Sequence, residues 1–277
     1  MQNAGLAAEG LNWRYLAFDV HPDHLRPAIE GARQMGFIGL NLTVPHKLLA
    51  LDMVDVVDDQ ARTLGAVNTI VFEARDSSGK WVPVGTLDAA PGGDVRSRGF
   101  NTDADAIVQA LLEEFDLDTL RGVTVLLLGA GGAARAAALR LAREGLAALY
   151  LVNRTQARAD ELAAEIAKNY PDTRIDSRCP AEPVDLVINA TSLGLSADDP
   201  LPIDLHCLQT HPPKFVYDMI YRPMETGLLR AARKAGCRTA NGAGMLLHQG
   251  ARALELWTGR PAPVEVMRKA LEKNLYG

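Results

Sequence analysis

One stretch decides the fold of half of this chain: Val123-Thr124-Val125-Leu126-Leu127-Leu128-Gly129-Ala130-Gly131-Gly132-Ala133-Ala134. Its opening run of apolar residues is typical of a strand that is buried on both faces of a parallel sheet. The Ala- and Leu-rich segment 135–144 predicts a helix, and a second apolar run over 149–152 predicts the next strand. The stretch therefore predicts a βαβ unit with a glycine-rich turn between the first strand and the helix.

The glycine-rich turn matches the pattern G-x-G-x-x-A, which binds dinucleotides when it follows a strand and opens a helix. Gly129 permits the tight turn, Gly131 lets the backbone approach a pyrophosphate at the helix N-terminus, and Ala134 allows close helix–strand packing. The remaining candidate residues of this turn are Ala130, Gly132 and Ala133. A glycine-rich turn without a ligand is the alternative, but the surrounding βαβ pattern favours a bound dinucleotide.

The end of the second strand predicts which dinucleotide binds. An NAD site places Asp or Glu there, because the carboxylate accepts a hydrogen bond from the ribose 2′-hydroxyl. This chain has Asn153, Arg154 and Thr155 instead, and Arg158 follows one turn later. Since two guanidinium groups can clamp a 2′-phosphate, the sequence predicts NADP rather than NAD. A solvated pair of arginines at a helix start is the alternative.

The same alternation of strands and helices continues on both sides of this unit. Toward the C-terminus, the pattern predicts helices over 156–168, 225–235, 245–257 and 264–274, and strands over 186–189, over 215–217 and near 238. Toward the N-terminus, it predicts a helix capped by Asp23, strands over 38–44, 68–72 and 81–84, an exposed loop over 85–99, and a helix to about 115 capped by Asp103 or Asp105. The whole pattern indicates an α/β protein.

The composition is that of an ordinary globular protein and excludes several classes. With 277 residues, two domains of roughly 100–200 residues are expected. The 29 Lys and Arg against 34 Asp and Glu give a net charge of −5, which argues against a nucleic-acid partner bound by a broad basic surface. No apolar run approaches the roughly 18 residues of a membrane span, and no signal peptide is visible, so we expect a cytoplasmic protein without a membrane partner.

The cysteines predict neither a disulfide framework nor a metal site. Cys179, Cys207 and Cys237 are odd in number and far apart, which fits a reduced cytoplasm. The chain has no C-x-x-C, and His206, Cys207 and His211 lack the close spacing of metal ligands. We therefore expect no structural metal.

Three polar segments outside the βαβ unit carry candidate substrate-side residues. They are Asn41–Lys47, Gly65–Thr69 and Gly99–Asp103. Each alone has an ordinary alternative, since Lys47 could be a solvated charge and Asp103 a helix N-cap. Because substrate groups belong at strand ends that face a dinucleotide, the three segments together indicate a substrate site.

Eight motifs, in this order, make the chain similar to the shikimate dehydrogenase family. They are N-L-T-V-P-H-K from Asn41, G-A-V-N-T from Gly65, G-F-N-T-D from Gly99, G-A-G-G-A from Gly129, N-R-T-x-x-R from Asn153, N-A-T-S-L-G from Asn189, D-M-I-Y from Asp218 and N-G-A-G-M-L-L-H-Q from Asn241. Together they extend over positions 41–249. Chance agreement with eight ordered motifs is negligible.

The resemblance implies a fold and a reaction. The implied fold has two domains, an α/β substrate-binding domain of residues 1–104 plus 240–277 and a Rossmann-type NADP-binding domain of residues 105–239 with a parallel sheet. The implied reaction is the NADPH-dependent, reversible reduction of 3-dehydroshikimate to shikimate. This step belongs to the shikimate pathway, which leads to chorismate and the aromatic amino acids. The implied partner is the small-molecule substrate, and the chain is expected to be a monomer or a homodimer.

The resemblance also implies roles for individual residues. By motif match, Lys47 and Asp103 are the catalytic pair. The implied substrate-binding residues are Thr43, Asn68, Asp103, Tyr221 and Gln249. The implied NADP-binding residues are Gly129, Ala130, Gly131, Gly132, Ala133, Asn153, Arg154, Thr155, Arg158, Thr191, Met219 and Gly242, of which the last two are nicotinamide-side contacts.

The chain departs from the family pattern at its N-terminus. Family members normally begin with a strand and S-x-S-P-x-x-x-N, whose two serines bind the substrate carboxylate. Here Met1–Ala4 resembles only the tail of that motif, with Asn3 as its Asn, and the strand and both serines are missing. Losing that strand would leave backbone groups of the sheet unpaired, so we expect either a misassigned start or a truncated, weakly active chain. Smaller departures are a long linker over 73–98 and Ala104 where a Gly often stands.

Two other functions stay open. A quinate/shikimate dehydrogenase, or a shikimate-like enzyme that acts on another acid, would fit a changed carboxylate site. A noncatalytic NADP-binding paralogue would act as a sensor or interaction module, although Lys47, Asp103 and Gln249 argue against it. Turnover of shikimate and of quinate separates these functions.

Overall fold

The computed structural model describes residues 1–204 and 210–277, so His206 and Cys207 lie outside the described residues. Within the described chain there are two compact units. Unit one consists of Met1–Asp103 and Leu247–Leu271, and unit two consists of Ala104–Leu246 and Glu272–Gly277. The domain boundaries implied by the family resemblance remain a prediction.

A sheet in which one long strand pairs with three others organises unit one. Its elements before residue 103 are α1 Gln2–Ala8, α2 Leu25–Gln34, β1 Gly39–Asn41, α3 His46–Leu49, β2 Val56–Val57, α4 Asp59–Leu64, β3 Thr69–Arg75, β4 Trp81–Pro83 and β5 Val95–Phe100. The described strands lie in the order β1-β3-β5-β2, and β4 also pairs with β3. Because β3 pairs antiparallel with β1, β4 and β5, it sets the register of the sheet.

Apolar side chains of α2 cover one face of this sheet. Leu25, Ile29 and Ala32 recur at helical spacing and are buried, so they form the apolar face of α2. They share a core with Ile70 and Phe72, which lie two residues apart and therefore on the same face of β3. Apolar residues at helical spacing on α2 and at alternate positions on β3 thus form one core.

The segment 85–99 contains a strand, which corrects the expected exposed loop. β5 pairs with β3 along most of its length. Ser97 and Gly99 are buried in it, and a Cβ on Gly99 would lie 2.7 Å from a valine methyl carbon. On the alternate positions, Arg96 forms an ion pair with the buried Glu73 across the sheet at 2.7 Å. The buried positions of β5 carry small residues, and the alternate positions 96 and 98 carry arginines. The segment therefore lacks the alternation of apolar and polar residues that predicts a strand from sequence.

The strand expected over 38–44 is shorter in the structure. β1 ends at Asn41, and Val44, the last residue of the expected strand, is 80% exposed. Leu40 and Leu42 still pack against the core of unit one. A turn in which the backbone N–H of His46 donates to the carbonyl of Thr43 at 2.8 Å replaces the last part of the strand.

Asp23 does not cap α2, and Asp103 and Asp105 lie within the helix that one of them was expected to cap. The backbone N–H of Asp23 donates to Nδ1 of His21 at 3.3 Å, in a 3₁₀ turn that precedes α2. The helix α5, Asp103–Phe115, begins at Asp103 itself, whose backbone N–H donates to Oδ1 of Asn101 at 3.1 Å. The carboxylate of Asp105 pairs with an arginine side chain instead. The His21 bond therefore caps the 3₁₀ turn, α2 follows its N-cap residue His24 without a side-chain cap, and Asn101 accepts the backbone N–H of Asp103 at the start of α5.

A parallel sheet organises unit two. After α5, the chain forms β6 Thr124–Leu128, α6 Gly132–Leu141, β7 Ala148–Val152, α7 Gln156–Asn169, β8 Arg174–Asp176, β9 Leu186–Asn189, β10 Phe215–Asp218, α8 Gly227–Lys234, β11 Arg238–Asn241, α9 Ala243–Thr258 and α10 Val264–Tyr276. The described strands lie in the order β11-β10-β9-β6-β7-β8, and every pair is parallel. The predicted βαβ unit is confirmed as β6, α6 and β7.

The centre of this sheet is fully buried. Leu127 on β6 and Leu149 and Leu151 on β7 have no exposed surface. Strands with helices on both faces bury alternate residues on each side, which is why β6 reads as a continuous apolar run. Within the part of the chain that the structure describes, no helix is long and apolar enough to cross a bilayer, and no group of three or more His, Cys, Asp or Glu could hold a metal ion.

Leu127→Ala should lower the free energy of unfolding by about 2–5 kcal/mol, because it removes a fully buried side chain and leaves a cavity in the core. Urea titration followed by circular dichroism measures this loss. The matched control is Leu195→Ala, at a position that is 60% exposed, where a change within about 0.5 kcal/mol is expected. Equal losses in the two variants would contradict the proposed core.

Candidate functional site

An ion pair joins the two predicted catalytic residues in unit one. Lys47 lies on α3, and Asp103 is the first residue of α5. The ammonium of Lys47 donates to Oδ2 of Asp103 at 2.8 Å, with the two side chains 28% and 16% exposed. The carbonyl of Lys47 also accepts the backbone N–H of Val67 at 2.8 Å, which ties α3 to the start of the G-A-V-N-T segment. The two residues, far apart in sequence, thus form one polar centre that water can still reach.

The predicted substrate residue Asn68 is buried and holds the residue before Asp103. Its Oδ1 accepts the backbone N–H of Thr102 at 2.8 Å, and its Nδ2 donates to Oγ1 of Thr102 at 3.0 Å. Only 2% of Asn68 is exposed. Asn68 therefore positions the start of α5, and with it the carboxylate of Asp103.

A chain of hydrogen bonds leads from this amide to the surface of unit one. Asn41 donates from Nδ2 to Oγ1 of Thr69 at 3.0 Å, and Thr69 donates to Oδ1 of Asn68 at 3.2 Å. The hydroxyl of Tyr15 donates to Oδ1 of Asn41 at 3.0 Å, and burial raises the pKa of Tyr15. Sequence reasoning included Asn41 and Thr69 in two of the candidate segments but missed Tyr15, because nothing in the segment around Tyr15 links it to Asn68.

The other predicted substrate residues lie on separate elements. Thr43 is exposed in the turn that follows β1, and Gln249 is half-buried on α9. Tyr221, in unit two, is 39% exposed, and its carbonyl accepts the hydroxyl of Tyr276 at 3.0 Å. The structure therefore brings Lys47, Asp103 and Asn68 together around the start of α5, and the roles of Thr43, Gln249 and Tyr221 remain predictions.

The glycine-rich turn of unit two has the backbone that its sequence predicts. Gly129 has φ +112°, which side chains rarely adopt, and a Cβ there would lie 3.1 Å from the carbonyl oxygen of Ala190. Its N–H donates to the carbonyl of Val152 at 2.7 Å. At Gly131 and Gly132, where α6 begins, a Cβ would meet nothing within 4 Å. The N-terminus of α6 is therefore open to a ligand, as an anion site at a helix start requires.

A groove of about 360 Å³ lies beside this turn. Its lining residues are Ala130, Gly131, Gly132, Arg135, Arg158, Glu161 and Leu162. Ala133 lies in the first turn of α6, next to this lining. The groove joins the open helix start to α7, the helix that follows the second strand of the βαβ unit.

The predicted phosphate clamp lies at the end of β7. Arg154 and Arg158 are exposed, and within the described ranges neither forms an ion pair. Asn153 donates from Nδ2 to the carbonyl of Thr155 at 2.9 Å, which fixes the turn into α7. Two guanidinium groups without a carboxylate partner can take an anionic ligand with little competition.

The predicted nicotinamide-side residues Met219 and Gly242, and the predicted NADP-binding residue Thr191, follow other strands of the same sheet. A Cβ on Gly242, just after β11, would lie 2.0 Å from the carbonyl oxygen of Met219, just after β10. Thr191, two residues after β9, donates from Oγ1 to Oδ1 of Asn189 at 2.7 Å. The predicted cofactor residues thus follow the ends of five strands that are neighbours in the sheet, in the order β11, β10, β9, β6 and β7. Because parallel strands end at the same edge of a sheet, these residues all lie along that edge.

Three family models match this chain. Shikimate dehydrogenase substrate binding domain matches residues 1–70, Shikimate / quinate 5-dehydrogenase matches residues 111–195, and Shikimate 5'-dehydrogenase C-terminal domain matches residues 242–272. Shikimate dehydrogenase (NADP(+)) of Methanopyrus kandleri is 40% identical, over 99% of this chain and 90% of that protein. The chain belongs to the shikimate dehydrogenase family. The expected family is thereby confirmed.

Solved structures of family members share the fold. Shikimate 5-dehydrogenase from Thermus thermophilus, in complex with NADP(H) and shikimate, is 33% identical with a TM-score of 0.79, over 99% of this chain and 92% of that one. Quinate dehydrogenase from Corynebacterium glutamicum, in complex with NAD, is 30% identical with a TM-score of 0.76, over 98% of this chain and 92% of that one. The predicted α/β fold of this shikimate dehydrogenase family member is thus confirmed.

Asn68→Ala should lower the free energy of unfolding of this family member by about 1–3 kcal/mol, because the buried N–H of Thr102 loses its acceptor. Urea titration measures the loss. Asn169→Ala, at an exposed position at the end of α7, is the control and should change stability by no more than about 0.5 kcal/mol. An unchanged stability in Asn68→Ala would contradict its role in holding the start of α5.

Proposed function

We propose that this chain catalyses the NADPH-dependent, reversible reduction of 3-dehydroshikimate to shikimate, within the shikimate pathway to chorismate and the aromatic amino acids. The observation that carries the proposal is the 2.8 Å ion pair between Lys47 and Asp103, two motif residues from distant segments. The relatives named for NADP-dependent shikimate dehydrogenase support the same reaction. The partners are then small molecules.

The residues of unit two fit an NADP cofactor. Gly131 and Gly132 leave the start of α6 open to a pyrophosphate, and Gly129 keeps a side chain away from the turn. Arg154 and Arg158 supply the positive charge for a 2′-phosphate at a strand end where Asn153 replaces the acid of an NAD site. Asn153 and Thr155 hold this turn by their hydrogen bond. NADPH, when bound, supplies the hydride that reduces the ketone.

Lys47 is the proposed proton donor. Hydride addition to the carbonyl carbon moves the π electrons of the ketone onto its oxygen, and the resulting alkoxide needs a proton. The ammonium of Lys47 can donate that proton and become a neutral amine. In the reverse direction the amine takes the proton from the substrate hydroxyl. The partial exposure of Lys47 allows its proton to be replenished from water.

Asp103 is proposed to orient Lys47 and a substrate hydroxyl. One carboxylate oxygen, Oδ2, accepts from Lys47, so the other can accept a hydrogen bond from the substrate. The bonds that hold Asp103 in place, through Asn101 and through Asn68 and Thr102, leave its carboxylate free for this task. Fixed orientation of the proton donor favours the reaction because less freedom is lost on reaching the transition state.

The remaining substrate contacts are proposed for Thr43, Asn68, Tyr221 and Gln249. The side-chain amide of Asn68 has little hydrogen-bonding capacity left for the substrate. Its Oδ1 already accepts from Thr102 and Thr69, and one of its two Nδ2 hydrogens goes to Thr102. It can therefore offer a substrate oxygen one N–H and no acceptor.

Quinate is the second candidate substrate. Two findings favour testing it: the family model over residues 111–195 covers both shikimate and quinate dehydrogenases, and quinate dehydrogenase from Corynebacterium glutamicum has the same fold. Initial rates with NADP⁺ and either shikimate or quinate decide between the two acids. Tight NADP⁺ binding without turnover of either acid would instead indicate a noncatalytic paralogue.

Lys47→Ala should lower kcat for shikimate oxidation by about 10²–10⁴, because it removes the group that takes the proton from the substrate hydroxyl. Steady-state rates with NADP⁺ and shikimate measure the effect, and circular dichroism checks the fold. Lys80→Ala, in the turn between β3 and β4, is the matched control and should keep the original kcat. Near-original turnover in Lys47→Ala would sink the catalytic assignment.

Arg154→Ala should weaken NADPH binding by about tenfold or more, because a charge-assisted contact to the 2′-phosphate is lost, and should change NADH binding little. Fluorescence titration of each cofactor measures the two dissociation constants. Arg143→Ala, at another exposed position of unit two, should affect neither cofactor. Equal losses for NADPH and NADH in Arg154→Ala would rule out the clamp.

A further inference from the structure

One carboxylate of unit two is completely buried and serves no proton transfer in the proposed reaction. Asp218, the last residue of β10, has no exposed surface. Within the described part of the chain, no Lys, Arg or His lies within ion-pair distance of it. Burial raises the pKa of Asp218. Burying such a group costs free energy, so its hydrogen bonds should have a purpose.

Three neutral donors satisfy the carboxylate of Asp218. Asn189, at the end of β9, donates from Nδ2 to Oδ1 at 3.0 Å. The backbone N–H of Ile220 donates to the same oxygen at 3.1 Å. The hydroxyl of Thr226 donates to Oδ2 at 2.7 Å and accepts the N–H of Leu229 as the N-cap of α8. One side chain therefore joins a strand end, a loop and a helix start.

Two of these segments carry predicted NADP-binding residues: Thr191 follows the strand end at Asn189, and Met219, a predicted nicotinamide-side contact, precedes Ile220 in the loop. The side-chain oxygen of Asn189, Oδ1, accepts two hydrogen bonds from Thr191. The backbone N–H of Thr191 donates at 3.0 Å and its hydroxyl donates at 2.7 Å. The N–H of Met219 donates to the carbonyl of Asn189 at 3.0 Å. Ile220, held by Asp218, accepts the N–H of Gly242 on its carbonyl at 3.1 Å. Thr191, Met219 and Gly242 thus depend on one hydrogen-bonded centre.

We infer that Asp218 is a positioning residue for the nicotinamide end of the cofactor: its carboxylate fixes the loops after β9 and β10 that carry Thr191 and Met219. This inference rests on the proposed function. It predicts that Asp218 affects binding of the nicotinamide end of the cofactor but not of the adenosine end. Arg154 and Arg158 follow β7, which lies three strands from β10 in the order β10-β9-β6-β7, so the adenosine end should not depend on Asp218.

Asp218→Asn tests the inference with a side chain of the same shape. The amide keeps one acceptor for Asn189 and Ile220 but presents an N–H₂ group to the hydroxyl of Thr226, so one of the three bonds is lost or reversed. The dissociation constant for NADP⁺ should rise about tenfold. The constant for 2′,5′-ADP, which has the 2′-phosphate but no nicotinamide, should change less than about twofold. Calorimetric titration of both ligands measures the two dissociation constants.

The Thr226 variants provide an independent route. Thr226→Val removes the hydroxyl at nearly constant volume and should weaken NADP⁺ binding as Asp218→Asn does. Thr226→Ser keeps the hydroxyl and should restore the original affinity. Asp199→Asn is the matched control, because Asp199 also accepts two backbone N–H groups in the loop after β9 but is only partly buried and shares none of the hydrogen bonds of Asp218. It should leave both dissociation constants unchanged.

Each result of these titrations either supports or overturns the positioning role of Asp218. Unchanged NADP⁺ affinity in Asp218→Asn and Thr226→Val would overturn the inference while leaving the proposed function intact. Parallel losses of NADP⁺ and 2′,5′-ADP affinity, or loss of folding in both variants, would overturn it in favour of a purely structural role. Failure of the unaltered chain to bind NADP⁺ would overturn the proposed function and the inference together. A selective loss of NADP⁺ affinity, with rescue by Thr226→Ser, supports it.

Discussion

All described strands of the second sheet run parallel, so their carboxyl ends meet at one edge, and the candidate cofactor site depends on this constraint. Each strand must turn away at that edge without leaving buried backbone groups unpaired. At β6 the turn is made by Gly129, whose N–H bonds to the carbonyl of Val152 at the end of β7. At β9 and β10 the loops are held by Asn189 and Asp218 instead. The edge therefore combines open backbone with fixed polar side chains.

Close approach of backbones at this edge excludes side chains at two points. A Cβ on Gly129 would crowd the carbonyl of Ala190, and one on Gly242 would overlap the carbonyl of Met219. Both contacts join the ends of neighbouring strands, β6 with β9 and β10 with β11. The glycines of the two motifs thus have the same physical cause, although one lies in the dinucleotide turn and the other begins the N-G-A-G-M segment. A substitution at either point would have to move a strand end.

The sequence predicted unit two better than unit one, for a physical reason. Strands buried on both faces, such as β6, are continuous apolar runs that are readable in isolation. β5 was missed because Ser97 and Gly99 fill its buried positions without apolar side chains. The pairing of Lys47 with Asp103 depends on where two distant segments meet, so periodicity could not predict it and only the family motifs indicated it. The D-M-I-Y motif was recognised too, but a charged residue gives no sign in sequence that it is buried.

The two carboxylates at the centre of these proposals are satisfied in opposite ways. Asp103 is paired with an ammonium and remains partly exposed, so its partner can exchange a proton with water. Asp218 is sealed among an amide, a backbone N–H and a hydroxyl, none of which transfers a proton near neutral pH. Neutral donors are directional, and a set of three fixes the carboxylate more narrowly than one mobile cation would. The carboxyl group that pairs with the proton donor is therefore kept within reach of water, whereas the carboxyl group that fixes the loops is buried.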